Sequence, residues 1–276
     1  MTEATTATAA GSPHYTEPDV VDVRGLPVAF RRKGTGPPTV FLHGGGSTRM
    51  WLPFYERMSQ SVEFVAPEHP GFGDTPMPGW LDDFYDLVLH YRDVLDTFEL
   101  DRAHLIGFSL GGWIAADLAI FHPERLKSLT LIAPAGLRVP GAPMTDFLRM
   151  PPEHIPDLLF NGRTEDYLEF LPDPHDLDAI TRGYGEATTV ARLIWNPRYD
   201  YKLDRRLERV TCPALVVQPD EDRFFPREHF ERWVELLPHA RLVHVSGERN
   251  PTGHGLIMQE PDRTADAILA FIQEAE

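Results

Sequence analysis

The sequence predicts an α/β protein: a mostly parallel sheet covered by helices on both faces and interrupted by a small helical insertion. Three observations predict it. Short apolar runs alternate with helical patterns from residue 39 onward. The alternation breaks once, at Pro134, and resumes at Ala214. One apolar run ends in Gly107-Phe108-Ser109-Leu110-Gly111, a tight strand-to-helix turn built around a serine.

Residues 1–18 are rich in Thr, Ala, Ser and Pro, with no basic segment followed by an apolar one. They are expected to form a disordered or loosely attached tail rather than a signal peptide. Two strands are expected at 19–23 and 27–32 around Gly25. Thr39-Val40-Phe41-Leu42 reads as a strand buried on both faces, and it runs into His43-Gly44-Gly45-Gly46. Glycines after a central strand let amide groups approach a ligand closely. A helix is expected at 50–60 and a strand at 62–66, followed by a loop that contains His69. Phe84, Leu87, Val88, Tyr91, Val94, Leu95 and Phe98 recur with the spacing of an amphipathic helix over 81–100.

The serine turn follows. Its helix, 110–121, is rich in small residues that permit close packing on a sheet, and His122-Pro123 ends it. A strand at 126–133 precedes the break. Residues 137–206 carry proline, aromatics and charge without a buried-strand pattern, so they are expected to form a helical cap over a core of 19–136 and 207–276. Helical pieces are placed at 157–160, 164–170 and 176–195. Met144, Phe147, Leu148, Leu159, Phe160, Tyr167, Tyr184 and Trp195 are candidates for an apolar pocket or for the cap's own core. Strands at 214–217 and 241–245, with helices at 226–237 and 261–274, close the chain.

Composition removes several function classes. The formal net charge is -16, which argues against nucleic acid, because phosphate contacts need clustered Lys and Arg. No apolar run reaches the roughly 18 residues a membrane span requires. Cys212 is the only cysteine, so no intrachain disulfide or thiolate cluster is expected, in keeping with a cytoplasmic setting. Its neighbours Thr211 and Pro213, ahead of an apolar run, point to a buried thiol.

Taken together, these motifs resemble the α/β-hydrolase family over residues 19–274. His43-Gly44-Gly45-Gly46 resembles its oxyanion loop, and Gly107-Phe108-Ser109-Leu110-Gly111 its nucleophile elbow. Asp222 followed by Pro226 resembles its acid after the penultimate strand, and Gly253-His254 with Glu260-Pro261 its catalytic-histidine loop. The resemblance implies Ser109 as nucleophile, His254 as base and acid, Asp222 as orienting acid, and the Gly45 and Leu110 amides as the oxyanion hole. Asp220 and Glu221 are rivals for the acid, but the spacing to Pro226 favours Asp222. His244, in mid-strand, is read as structural, and His69 as a loop histidine. Glu248, Arg249 and Asn250 extend the loop before His254 and are expected near the site. His43, Gly44, Gly46, Phe108, Phe147 and Trp195 are expected to contact substrate. No metal or cofactor is implied, because the triad chemistry needs none.

A serine nucleophile excludes the aspartate-dependent branches of the family. Carbon–carbon bond hydrolases of ring-cleavage products usually carry Asn before the serine and Trp after the histidine; here Phe108 and Gly255 hold those places. The elbow most resembles small-molecule esterases, lactonases and perhydrolases. The expected function is hydrolysis of a small, fairly apolar ester or lactone. A thioester hydrolase, a carbon–carbon bond hydrolase and a non-turnover ligand receptor remain as alternatives on the same triad.

Overall fold

The computed structural model describes residues 12–276, in which eight strands form one sheet of order β1-β2-β4-β3-β5-β6-β7-β8. β1 (Asp19–Val23), β2 (Leu26–Lys33) and β4 (Glu63–Pro67) pair antiparallel in the order β1-β2-β4. β3 (Pro38–Leu42), β5 (Ala103–Phe108), β6 (Leu126–Ile132), β7 (Ala214–Pro219) and β8 (Ala240–Val245) continue from β4 in parallel. The central strands read as unbroken apolar runs because helices cover both of their faces; every residue of β5 and β7 is buried.

Helices α1 (Pro53–Ser59), α2 (Phe84–Thr97) and α3 (Leu110–Phe121) lie between the early strands. Asp83 caps α2 by accepting the amides of Tyr85 and Asp86, which fixes its start three residues later than the apolar stripe alone suggests. α3 is buried nearly all round and packs hard on the sheet: a Cβ on Gly111 would lie 2.1 Å from the Leu42 carbonyl oxygen. That contact brings the first turn of α3 onto the end of β3, and so beside the loop that follows it.

The insertion between β6 and β7 contains α4 (Ile155–Leu159), a 3-10 segment Thr164–Phe170, α5 (Leu177–Ile194) and α6 (Leu203–Arg206). It rests on the loops at the carboxyl ends of the strands. Thr189 Oγ1 donates to the Gly71 carbonyl at 3.2 Å, and Gly255 N donates to the Leu159 carbonyl at 2.9 Å. Phe160 is fully buried and stacks on Tyr167 at 4.7 Å, so these two rings belong to the insertion's own core. Helices α7 (Arg227–Leu236), α8 (Leu256–Gln259) and α9 (Pro261–Ala275) complete the chain.

The tail differs from expectation. Residues 1–11 lie outside the described residues, but 12–18 are held in place. Trp51 N donates to the His14 carbonyl at 2.8 Å, and Arg31 Nε donates to the Thr16 carbonyl at 2.9 Å. The His14 ring stacks on Phe170 of the insertion at 4.7 Å. Backbone pairing, which leaves no mark in composition, anchors this stretch. Among the described residues no helix is long and apolar enough to cross a membrane.

Candidate active site

Ser109 sits between β5 and α3 with φ 53° and ψ -113°, a conformation that costs a non-glycine residue of order 1–3 kcal/mol. Its surroundings hold it there. Its amide donates to the Ile132 carbonyl at 2.9 Å, and its carbonyl accepts from Gly112 N and Ala135 N, each at 3.0 Å. The turn leaves the hydroxyl half-buried at the sheet's carboxyl edge.

The loop after β7 supplies Asp222 and the loop after β8 supplies His254. His254 Nε2 is 2.9 Å from Ser109 Oγ, and Nδ1 is 2.8 Å from Asp222 Oδ2. With Asp222 accepting from Nδ1–H, Nε2 carries the lone pair that accepts the serine proton. The Asp222 side chain is 1% exposed, and its second oxygen accepts the amides of Phe224 at 2.7 Å and Phe225 at 3.0 Å. The carboxylate is therefore fixed by its own turn before it meets the imidazole. The His254 ring packs among Phe108, Phe224 and Phe225, with centroids at 5.2, 4.5 and 5.5 Å.

The two rivals for the acid have other places. Asp220 Oδ2 accepts the amides of Gly247 and Thr252, each at 2.9 Å, and Oδ1 is 3.1 Å from His244 Nε2. Burial pushes this carboxyl up, but those amides, Ser246 and His244 outweigh it and hold the pKa below its usual value. Asp220 thus ties down the long loop that carries His254. Glu221 points out to solvent. Glu248, Arg249 and Asn250, expected near the site, instead line an outer hollow with Asp220 and Glu221 that contains no triad residue. The Glu248 amide donates to Glu260 Oε1 at 2.7 Å, which ties the segment to the residue preceding Pro261.

The glycine loop lies against the nucleophile. A Cβ on Gly44 would stand 3.3 Å from Ser109 Cβ and 3.2 Å from the Phe108 ring. Leu110 opens α3, so its amide has no acceptor within the helix. Gly45 is exposed, and Val190 of α5 stands over it: a Cβ there would lie 3.4 Å from Val190 Cγ2. Gly46 faces open space.

His43 supports this loop from beneath. Its Nε2 accepts the His69 amide at 2.9 Å, which leaves Nδ1–H to donate to the Gly44 carbonyl at 2.7 Å. His69 Nε2–H donates to the His43 carbonyl at 2.8 Å, and its Nδ1 accepts from the Tyr91 hydroxyl. The rings stack at 3.7 Å. Burial lowers the His43 pKa to about 4 and takes His69 well below its usual value, so both are neutral. His69 does lie in a loop, but it is fully buried as a brace, and His43 is buried under the loop rather than facing substrate.

The remaining expected contacts divide. Phe147 meets Phe224 at 5.7 Å, one ring removed from His254. Trp195 lies elsewhere: it caps the end of α5, is 49% exposed, and lines a cavity containing no triad residue. Tyr184 is exposed. Cys212 is buried and its thiol pKa is pushed up to about 11 by burial, which makes it inert. Among the described residues, no group of three or more His, Cys, Asp or Glu is placed to hold a metal ion.

The family model for the Alpha/beta hydrolase family matches residues 39–267. The chain is 30% identical to a 2-hydroxy-6-oxononadienedioate/2-hydroxy-6-oxononatrienedioate hydrolase of Paraburkholderia phymatum, over 90% of this chain and 91% of that protein. It is 27% identical to a 2-hydroxy-6-oxo-6-phenylhexa-2,4-dienoate hydrolase of Comamonas testosteroni, over 99% and 100%. The crystal structure of a bacterial membrane phospholipase A is similar with a TM-score of 0.79 and 26% identity, covering 94% of this chain and 86% of that one.

Proposed function

The chain belongs to the α/β-hydrolase family, and on that premise we propose that it is a serine hydrolase cleaving a small, fairly apolar carboxylic ester or lactone through an acyl-enzyme. The observation that carries the reading is the placement of His254 between Ser109 Oγ and Asp222 Oδ2. A serine hydroxyl is a weak nucleophile until a base takes its proton.

In the first step Ser109 Oγ bonds to the substrate carbonyl carbon as its proton passes to His254 Nε2. Asp222 holds the ring in the reactive tautomer and stabilises the imidazolium. The Leu110 and Gly45 amides receive the oxyanion. The carbon–oxygen bond to the leaving alcohol then breaks, and that alcohol takes the proton from Nε2. In a lactone it remains attached through the acyl chain. Water repeats the sequence on the acyl-enzyme: its proton goes to Nε2, its oxygen to the carbonyl carbon, and Ser109 leaves reprotonated with the free acid.

A second reading, carbon–carbon bond hydrolysis of a 2-hydroxy-6-oxo-dienoate, is favoured by the names of the two relatives. Against it, Gly255 stands where those hydrolases usually carry Trp, and a Cβ at that position would lie 2.9 Å from the Phe160 ring, so a larger side chain there requires the ring or the loop to shift. The test runs chromogenic acyl esters, matched thioesters, small lactones and a 2-hydroxy-6-oxo-dienoate against wild type and Ser109→Ala. Multiple ester or lactone turnovers that vanish in Ser109→Ala support the proposal. Faster consumption of the dienoate transfers it to the second reading. Equal rates in both proteins, or a single turnover with a lasting adduct, overturn it.

A further inference from the structure

A cavity of about 750 Å³ opens between the first and last stretches of the insertion, walled by Leu137–Met144 on one side and Trp195–Tyr199 on the other. It contains no triad residue. Its volume falls in the usual range for a small-molecule site. Its charge runs against the rest of the chain: the protein as a whole carries -16, yet Arg138, Arg149 and Arg198 line this cavity against the single carboxylate Asp146.

That carboxylate does not use up the cationic groups. Arg198 Nη1 pairs with Asp146 Oδ1, while Arg198 Nε is buried without an acceptor. Arg149 Nε lies 3.7 Å from Asp146 Oδ2, on an exposed side chain. Arg138 pairs with no carboxylate among the described residues; its guanidinium lies over the Tyr199 ring at 5.6 Å. Arg198 lies over the half-exposed Trp195 ring at 5.8 Å. His229, on the inner wall, is lowered in pKa by burial and donates from Nε2 to the Ala142 carbonyl at 2.7 Å, so it adds no charge. Forked donors beside flat apolar faces match an anion carried on a planar body.

We propose that this cavity is a binding site, separate from the triad, for a flat apolar carboxylate, with Arg138 and Arg198 receiving the carboxylate and Trp195 and Tyr199 packing against its body. A guanidinium matches a carboxylate in two parallel hydrogen bonds, and the neighbouring Trp195 and Tyr199 rings offer apolar surface to the body that carries it.

The test titrates 2-naphthoate into wild type, Ser109→Ala, Arg138→Leu, Arg198→Leu and Trp195→Phe, by calorimetry and tryptophan fluorescence. The neutral 2-naphthalenemethanol and inorganic phosphate serve as comparison ligands. Arg138 is exposed and outside any ion pair among the described residues, so Arg138→Leu is expected to fold. The proposal expects saturable one-to-one binding of 2-naphthoate, equal in wild type and Ser109→Ala. Each arginine variant should weaken it roughly tenfold or more, and so should replacing the carboxylate by the alcohol. Trp195→Phe should remove the fluorescence response. Alcohol binding as tight as naphthoate overturns the proposal. So does unchanged affinity in both arginine variants, phosphate binding tighter than naphthoate, or no saturation by about 10 mM.

Discussion

Glu186 of α5 accepts the amide of Gly73, in the loop after β4, at 2.9 Å. The same oxygen accepts the Thr48 hydroxyl at 2.7 Å, so one carboxylate of the insertion clasps the glycine-bearing loop after β3 to the loop after β4. One turn farther along the helix, Val190 stands over Gly45. Burial raises the Glu186 pKa, with Glu68 adding to it, against the Thr48 and Gly73 hydrogen bonds and Arg182. A carboxyl raised in the folded state keeps its proton while the unfolded chain has lost it. Its contribution to stability therefore falls as pH rises through the window above the ordinary carboxylate value. Glu186→Ala leaves both donors without this acceptor and should cost about 1–3 kcal/mol. Glu186→Gln keeps an uncharged acceptor and should cost under roughly 1 kcal/mol, with the pH dependence in that window reduced. Thermal melts of the three proteins across pH 5 to 8 check this; equal losses in both variants would refute the clasp.

His43 and His69 give the opposite pH response. His43 keeps a folded pKa of about 4, far below the roughly 6.5 of the unfolded chain. The stability of the neutral pair is complete above that unfolded value and is lost as pH falls toward the folded one. His43→Ala strands the buried His69 amide and Gly44 carbonyl, so it should lower stability by about 1–3 kcal/mol and flatten the acid side of the Tm profile. On the proposed activity it should lower kcat roughly tenfold to a hundredfold, less than the 10²–10³ that outright loss of an oxyanion donor costs. A variant with wild-type kcat would show that the brace does not set the loop.

Asp117, on α3, is a buried carboxyl whose pKa is raised to about 7 by burial first and by Asp200 second, with Arg206 opposing. The unfolded chain ionises near the ordinary value, so wild-type stability should fall as pH climbs from about 4 to about 7 and level off above. Asp117→Asn removes that penalty, on the order of a few kcal/mol. Its Tm gain over wild type should be larger at pH 8 than at pH 5; a gain independent of pH would contradict the assignment.

The legible parts of this molecule are those whose cause is local in the chain. Ser109 is flanked by its own glycines, Asp222 is held by amides two and three residues on, and the apolar runs mark their strands directly. The parts that stayed hidden depend on partners far apart in sequence. Nothing near His69 announces Tyr91 as its donor, and nothing near Asp220 announces Thr252. Trp195 shows the limit of composition: an aromatic in the insertion looks like pocket lining from its type alone, but its position at the end of α5 puts it with Arg198 in a cavity that contains no triad residue. The tail fails for the same reason, since Thr16 is held through its backbone carbonyl.

The contact between Phe160 and Gly255 joins the insertion to the histidine loop and can be tested as a pair. Gly255 N donates to the Leu159 carbonyl at 2.9 Å, while a Cβ on Gly255 would stand 2.9 Å from Phe160 Cε1 and 3.2 Å from Leu159 Cγ. The ring cannot swing aside freely, because Phe160 is fully buried and stacked on Tyr167. Gly255→Ala must then displace either the ring or the residue next to His254, a strain of about 1–3 kcal/mol, with a matching fall in kcat if the imidazole moves. Phe160→Leu opens space at this spot and should cost stability by itself. Combined with Gly255→Ala, it should recover part of both losses, giving a coupling energy of about 0.5–3 kcal/mol in a double-mutant cycle. Strict additivity of the two changes in Tm and in kcat would mean that the ring exerts no pressure on the histidine loop.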